Sequence, residues 1–405
     1  PNPVQGNYHK ATTSDGSTEE FVVSPGGVPC AFVWKTVSDQ YGKYSYIKVL
    51  SGEITSDTTL VNARTGDTEK LGRLYTICGK KATEVKALGC GDIGAIGKMD
   101  RVRTGDTLCD PRKVVSLKSI PYAPPCYSMA ISPKVKGQDE KVGSGLIRLN
   151  EEDPSFVISN NPETKQLVIS GTGDQQLDVI VSKLKSRFGV DAVLSPAKIA
   201  YRERIKKKVE AHGRHKKQTG GSGQFGDVWI RFSPQEVFGG SVPRNFYPAV
   251  EKGLQEAVQK GPLAGYPMVG LKATLYDGSY HPVDSNELSF KLAAILAFKE
   301  AMPNCMPTIL EPIGSLKVTI PDSYMGDVIG DLNKRRGRVM GMNPAGHGVT
   351  IVEAEVPMAE MSSYAIDLRA MTQARGSFTL TFDRYEEVPK ANQAKIIADA
   401  KANEG

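Results

Sequence analysis

The order strand, helix, strand, strand, helix, strand is written twice in this chain, and few folds accommodate it. Between about 122 and 200 a helix candidate, "DEKVGSGLIRLNEED", precedes a hairpin, "SFVIS-NNPETK-QLVIS", and a second helix, "GDQQLDVIVSKLKSRFG". In that helix Leu177, Ile180, Val181, Leu184 and Phe188 recur at helical spacing, and Gly189 takes the stop position. From 311 to about 389 the order returns with different residues. "GSLKVTIP" leads, "YMGDVIGDLNKRRG" is a helix with Val328, Ile329 and Leu332 on one face, and "AEMSSYAIDLRAMTQ" is the second helix. Each helix has one apolar stripe to bury and each strand one apolar face. The pattern therefore predicts a two-layer α+β sandwich of ferredoxin-like type, made twice.

Two other blocks surround these. Residues 28 to about 112 read as short alternating runs with glycine-rich turns ("CAFVWKTV", "YSYIKVLSG", "LGRLYTI"), the pattern of a small β-barrel. A third α+β block fills 201–310. With 405 residues, 40% of them hydrophobic, there is apolar material for several cores. The expected organisation is multidomain: a β-barrel at 1–115, ferredoxin-like sandwiches at 116–199 and 311–390, an α+β arm at 200–310 between them, and a tail at 391–405 that is frayed helix or disordered.

Charge is unevenly placed. "YRERIKKKVEAHGRHKK" (201–217) holds eight Lys/Arg and two Glu, an excess of six, as large as the net charge of +6 for the whole chain. Such concentration suits a nucleic-acid partner or, with similar weight, a solvated cationic strand. The six cysteines form no C-x-x-C pair and read as reduced, mostly buried thiols of a cytoplasmic protein. No apolar run is long enough for a membrane helix, and no signal peptide is visible in "PNPVQGNYHK".

The familiar catalytic patterns fail on context. "GGSGQFGDV" contains G-x-G-x-x-G, but a basic run precedes it and a strand follows, whereas a dinucleotide site needs strand before and helix after. The same residues fit a kinase glycine loop, yet the H-R-D and D-F-G motifs are missing. In "GDIGAIGKM" Asp92 stands where a phosphate loop needs glycine, and Met99 where it needs Ser or Thr. No catalytic, cofactor or metal residue is assigned.

Two contact loops remain. "HGRHKKQTGGSGQFG" couples Arg214, His215, Lys216 and Lys217 to a turn of Gly220, Gly221, Ser222, Gly223 and Gln224, where bare backbone N–H groups can approach phosphates. "DGSYHPVDSNE" holds Ser279, Tyr280, His281, Pro282 and Asp284. Asp284 is expected to cap the following helix with Glu287 at its third position, and Leu288, Leu292, Ile295 and Leu296 to bury one face of that helix. On the residues alone His281 either contacts RNA or satisfies a turn.

Several long stretches carry a resemblance. "KQTGGSGQFGDV", "YDGSYHPVDSNELSFKLAAILAFKEA", "LEPIGSLKVTIPDSYMGDVIGDLNKRRGRVMGM" and "VPMAEMSSYAIDLRAMTQARGSFTLTFDRYEEVP" closely resemble bacterial elongation factor G, as do "LNEEDPSF", "AYRERI" and "YSYIKVLSGEI" over its second and third domains. The likeness runs from about residue 2 to 390. It implies domains II to V of a translocation GTPase whose GTP and Mg²⁺ belong to an N-terminal domain outside this chain. Its implied partners are ribosomal RNA of both subunits and the tRNA–mRNA of the A site, engaged by a cytoplasmic monomer. The resemblance puts His281 at the tip that reaches the decoding centre, with the 218–226 loop beside it. It also implies basic contacts from Lys206, Lys207, Lys208, Arg214, His215, Lys216, Lys217, Arg335, Arg336 and Arg338. Two departures, Pro282 where the family has Asp and "GTGDQQLD" (171–178) where it has G-M-G-E-L-H-L-E, suggest an elongation factor G-like paralogue. A ribosomal protection protein of the tetracycline-resistance type, or a stand-alone non-catalytic ribosome-binding module, is the alternative reading.

Overall fold

In the computed structural model, which describes residues 8–13, 16–39, 42–79, 81–218, 223–234 and 246–402, contacts divide the chain into two units, 1–197 and 198–405. The first unit begins with the barrel. Its eight-stranded antiparallel sheet runs, in spatial order, through Thr68–Lys70, Thr59–Asn62, Thr107–Cys109, Cys30–Asp39, Gly42–Ser51, Ile93–Gly97, Leu74–Cys78 and Lys81–Val85. Alternation explains the core: Ala31, Val33, Ile47, Val49, Leu74, Ile96 and Leu108 are fully buried and form one apolar cluster. Two strands the sequence reading left out, Tyr8–Thr13 and Thr18–Val22, join Val115–Leu117 in a separate three-stranded sheet. They carry no apolar period, and only Ala11 and Phe21 of their described side chains are buried.

The sandwich of the first unit consists of Tyr127–Pro133, the helix Asp139–Glu152, Val157–Asn161, Gln166–Gly171, the helix Asp174–Phe188 and Ala192–Pro196. The first and third strands are central, the second flanks the third and the fourth flanks the first, all antiparallel. Leu146, Phe156, Ile169, Leu177 and Leu184 fill the space between sheet and helices. Gly189 ends the second helix at φ +66°. The barrel caps the first helix: Thr36 and Thr104 donate their hydroxyls to the Glu151 carbonyl, and Lys43 Nζ lies 2.9 Å from Glu151 Oε2. That helix has no basic residue in its own last turn, so Lys43 supplies the cation its C-terminus favours.

In the second unit, Pro307–Pro321, Arg338–Gly346, Val349–Pro357 and Ser377–Glu387 pair in the same order as the first sandwich, with Pro307–Pro321 and Val349–Pro357 central. Helices Met325–Lys334 and Tyr364–Thr372 cover one face over Leu316, Val318, Val328, Leu332, Val352 and Leu368. The chain is therefore a β-barrel followed by α+β domains, two of them ferredoxin-like. The strand Arg202–Ile205 also pairs with this sheet, at Pro307–Leu310. The tail forms a helix, Lys390–Ala402, with no buried residue.

The arm is a three-stranded antiparallel sheet, Val209–Lys217, Gln224–Ser233 and Lys272–Ser279, backed by the helices Tyr247–Ala257 and Glu287–Ala301. The helix Glu287–Ala301 turns a face to the sheet other than the one its leucines predict. Phe290, Ala293, Ala294, Ala297, Phe298 and Ala301 are buried, while Leu288 and Leu296 are 51% and 42% exposed. The cause lies across the interface. A β-carbon on Gly213 would stand 2.0 Å from the Ala293 carbonyl oxygen, and one on Gly226 would stand 2.4 Å from that of Ser289. Bare backbone in the sheet lets the helix lie close, and only small side chains fit that seam. At the arm's base the Glu203 carboxylate, fully buried, accepts N–H bonds from Leu263, Ala264 and Tyr266, and burial pushes its carboxyl pKa up. Among the described residues no helix is long and apolar enough to cross a membrane.

Candidate nucleic-acid interface

In the antiparallel pair Val209–Lys217 and Gln224–Ser233, Lys217 and Gln224 lie at the same end of the sheet as the loop between Ser279 and Glu287. Gly220, Gly221 and Ser222 lie outside the described residues. Gly223 and Gln224 lie within them, and Gln224 Oε1 stands 2.9 Å from His215 Nε2. Backbone and side chains tie Gly223 and Phe225 to the loop that holds His281. Gly223 donates its N–H to Asp284 Oδ1 at 2.9 Å, and Phe225 donates to the Asp284 carbonyl at 2.8 Å. Ser285 Oγ accepts from the His281 N–H at 2.8 Å and donates to the Phe225 carbonyl at 2.9 Å. These short bonds join Gly223 and Phe225 to the loop 281–285.

Asp284 does not cap the helix. The cap is Asn286, whose Oδ1 accepts from both the Ser289 N–H and the Ser289 hydroxyl at 2.9 Å. All three residues of "Asp-Ser-Asn" are good caps by chemistry, and Asp284 is taken by a donor 61 residues away. Its other oxygen, Oδ2, lies 3.4 Å from His281 Nδ1. The same ring nitrogen also lies 3.4 and 3.3 Å from the backbone nitrogens of Val283 and Asp284. The ring is held on one side and open on the other, with 54% of its side chain exposed. Tyr280 and Val283 are exposed beside it, as is Pro282.

Below the tip, Asp227 joins all three strands. Its Oδ1 lies 2.6 Å from His212 Nε2, and its Oδ2 accepts from the Ser279 hydroxyl at 3.1 Å. His212 stacks on Trp229, ring centres 4.2 Å apart, and Arg214 lies over the Phe225 ring. Farther along this open face Arg231 holds the Glu210 carboxyl below its ordinary range, aided by the Tyr276 hydroxyl. Sequence reasoning missed Asp227, Ser285 and the inward role of Asp284. Nothing local marks them, because each acts across strands or between loops.

The basic segment is not one patch. Lys206–Lys208 and Lys216–Lys217 lie at opposite ends of the strand Val209–Lys217, about 27 Å apart at the rise of an extended strand. Lys206 pairs with Glu387. Lys207, Lys208, Lys216 and Lys217 are exposed and have no ion-pair partner among the described residues. Arg335 and Arg336 depart from the expectation of outward-facing cations. Arg335 reaches Asp331, Asp367 and the Glu360 carbonyl, and Arg336 makes a two-pronged bond to Glu311 at 2.7 and 2.8 Å. Their donors turn to carboxylates of the same domain, of which Glu311 is buried. Arg338 is half exposed, shared between Glu355 and Glu386.

No group of three His, Cys, Asp or Glu among the described residues is placed to hold a metal. Met99, at the position where a phosphate loop has Ser or Thr, is buried in the barrel core.

Comparison with known proteins gives four adjacent matches. Residues 29–111 match elongation factor G domain 2, residues 122–196 match elongation factor G domain III, residues 197–306 match elongation factor G domain IV, and residues 308–396 match the elongation factor G C-terminus. A crystal structure of a protein from Thermus thermophilus superposes with a TM-score of 0.80 at 36% sequence identity. That match covers 93% of this chain and 58% of the other, so this chain spans little more than half of its neighbour's length.

Proposed function

The chain belongs to the elongation factor G family, and on that premise we propose that it is the ribosome-engaging part of a factor that drives tRNA–mRNA translocation. The arm enters the A site of the small subunit, and its two joined turns sit against RNA of the decoding centre. The barrel and the C-terminal domain dock on ribosomal RNA of the small and large subunits. Chemistry on this chain is not required. A stiff protrusion that occupies the vacated site makes backward movement of tRNA costly, and GTP hydrolysis on a GTPase domain would time its entry and release.

One observation carries this reading. A half-exposed imidazole, aimed by Asp284 and Ser285, stands at the end of a sheet braced by a closely seated helix. A half-exposed, flat imidazole suits hydrogen bonding to sugar or phosphate and stacking on a base. The test is single-round translocation by the full-length factor carrying His281→Ala. Loss of one well-aimed contact is expected to slow the step about tenfold, with the melting temperature unchanged. Equal rates for variant and parent would remove His281 from the mechanism.

A further inference from the structure

Cys30 and Cys109 face each other across two barrel strands and take no part in the ribosome-facing surface. They are direct partners in the antiparallel ladder, and their sulfurs are 3.9 Å apart. The bonds Asp110 N–H to Pro29 carbonyl and Val33 N–H to Asp106 carbonyl, two ladder steps either side of Leu108 and Ala31, fix the alternation. Cys30 and Cys109 therefore occupy a non-hydrogen-bonded pair, where opposing backbones come nearest, with α-carbons about 4.5 Å apart. A disulfide fits there, within its range of about 4.4–6.8 Å. The other described thiols lack this arrangement: Cys90 and Cys126 donate to the carbonyls of Leu50 and Thr172, Cys305 is buried alone, and Cys78 is exposed.

We propose that Cys30 and Cys109 form a reversible redox site, converted by a hydroperoxide into a disulfide that ties the strand Cys30–Asp39 to Thr107–Cys109. One thiolate attacks a peroxide oxygen, the O–O bond breaks, hydroxide leaves, and a sulfenic acid forms. The second thiol attacks that sulfur, the S–S bond forms and a second hydroxide leaves. The two thiol protons complete two waters, so two thiols and one hydrogen peroxide give one disulfide and two waters. A reducing dithiol reverses the bond by exchange.

The site's setting decides its selectivity. Both thiols are buried, in a small cluster with Ala11, Phe21, Leu50, Val115 and Leu117, and Cys109 Sγ donates to the Val115 carbonyl at 3.1 Å. Val115, Ala11 and Phe21 belong to the three-stranded sheet that covers the pair. A cover this small opens at lower cost than the barrel unfolds, so a small oxidant reaches the pair during such openings. The hydrogen bond between the two thiols lowers the pKa of Cys109 and raises that of Cys30.

The experiment uses the whole chain with the exposed Cys78 removed (Cys78→Ser), leaving five of its six thiols. The protein is treated with hydrogen peroxide, alkylated in denaturant and mapped by peptide mass. The expected result is loss of two alkylatable thiols, a peptide linking Cys30 to Cys109, and recovery of both thiols with dithiothreitol. Cys109→Ala should abolish the link and leave Cys30 alkylatable. The proposal is overturned if both thiols stay alkylatable, if each is oxidised singly to sulfinic acid, or if Cys30 and Cys109 link only to other cysteines.

Discussion

Gly213→Val is expected to unseat the arm, with the largest loss of stability of any single change described here. The new β-carbon would lie 2.0 Å from the Ala293 carbonyl oxygen and 2.6 Å from the Ala297 nitrogen. Both are helix backbone, so no side-chain rotation relieves the clash. The helix Glu287–Ala301 must lift from the sheet and uncover Ala293, Ala297 and Phe290, all fully buried. Overpacking of this kind costs about 3 kcal/mol or more. Because Asn286 and the tip loop ride on that helix, the seat of His281 should move with it. Thermal unfolding followed by circular dichroism should show a midpoint lower by roughly 10 °C or more for the arm. Gly143→Ala is the contrasting control. Its β-carbon meets nothing within 4 Å in the helix Asp139–Glu152, so a gain of about 0.5–1 kcal/mol is expected. An unchanged midpoint for Gly213→Val would contradict the seam of bare backbone.

Arg336→Met is expected to destabilise the C-terminal domain by about 3 kcal/mol, because it strands a buried carboxylate. The Glu311 side chain is 3% exposed, and Arg336 meets both of its oxygens. Glu311 in turn is the main reason the guanidinium holds its proton more tightly than usual. Methionine keeps the volume of the side chain and removes only the charge and the fork of donors. Burying two charges is itself costly, so Arg336→Met combined with Glu311→Gln should lose much less than Arg336→Met alone. Urea unfolding of the four members of this cycle should give a coupling of about 2 kcal/mol. If the two losses simply add, the bond contributes no more than an exposed pair.

The two sandwiches were legible because their information is local. Leu177, Ile180 and Leu184 repeat at helical spacing and are buried where that spacing says. The strand order then follows from how six such elements can cover each other. The arm was legible only in outline. Leu288, Leu292, Ile295 and Leu296 spell a convincing apolar stripe, but Gly213 and Gly226 on distant strands admit a closer face of alanines. The space a partner leaves cannot be read from the helix it receives. The same limit hid the site's supports. Asp284 sits in a run of cap-forming residues, and only the fold brings Gly223 to its carboxylate. Arg335, Arg336 and Arg338 look like a cationic cluster until the carboxylates Asp367, Glu311, Glu355 and Glu386 arrive from other elements.

The central claim is that the two joined turns meet ribosomal RNA at the decoding centre, and a cleavage probe tests it most directly. Iron–EDTA is tethered at Tyr280→Cys in the full-length factor, with the exposed Cys78 replaced by serine, and the protein is bound to ribosomes before radical generation. Cuts are expected in small-subunit RNA of the decoding region, and they should be absent when the same probe sits on the barrel at an exposed site such as Lys81→Cys. Cuts confined to other parts of the ribosome, or none above background, would contradict the claim.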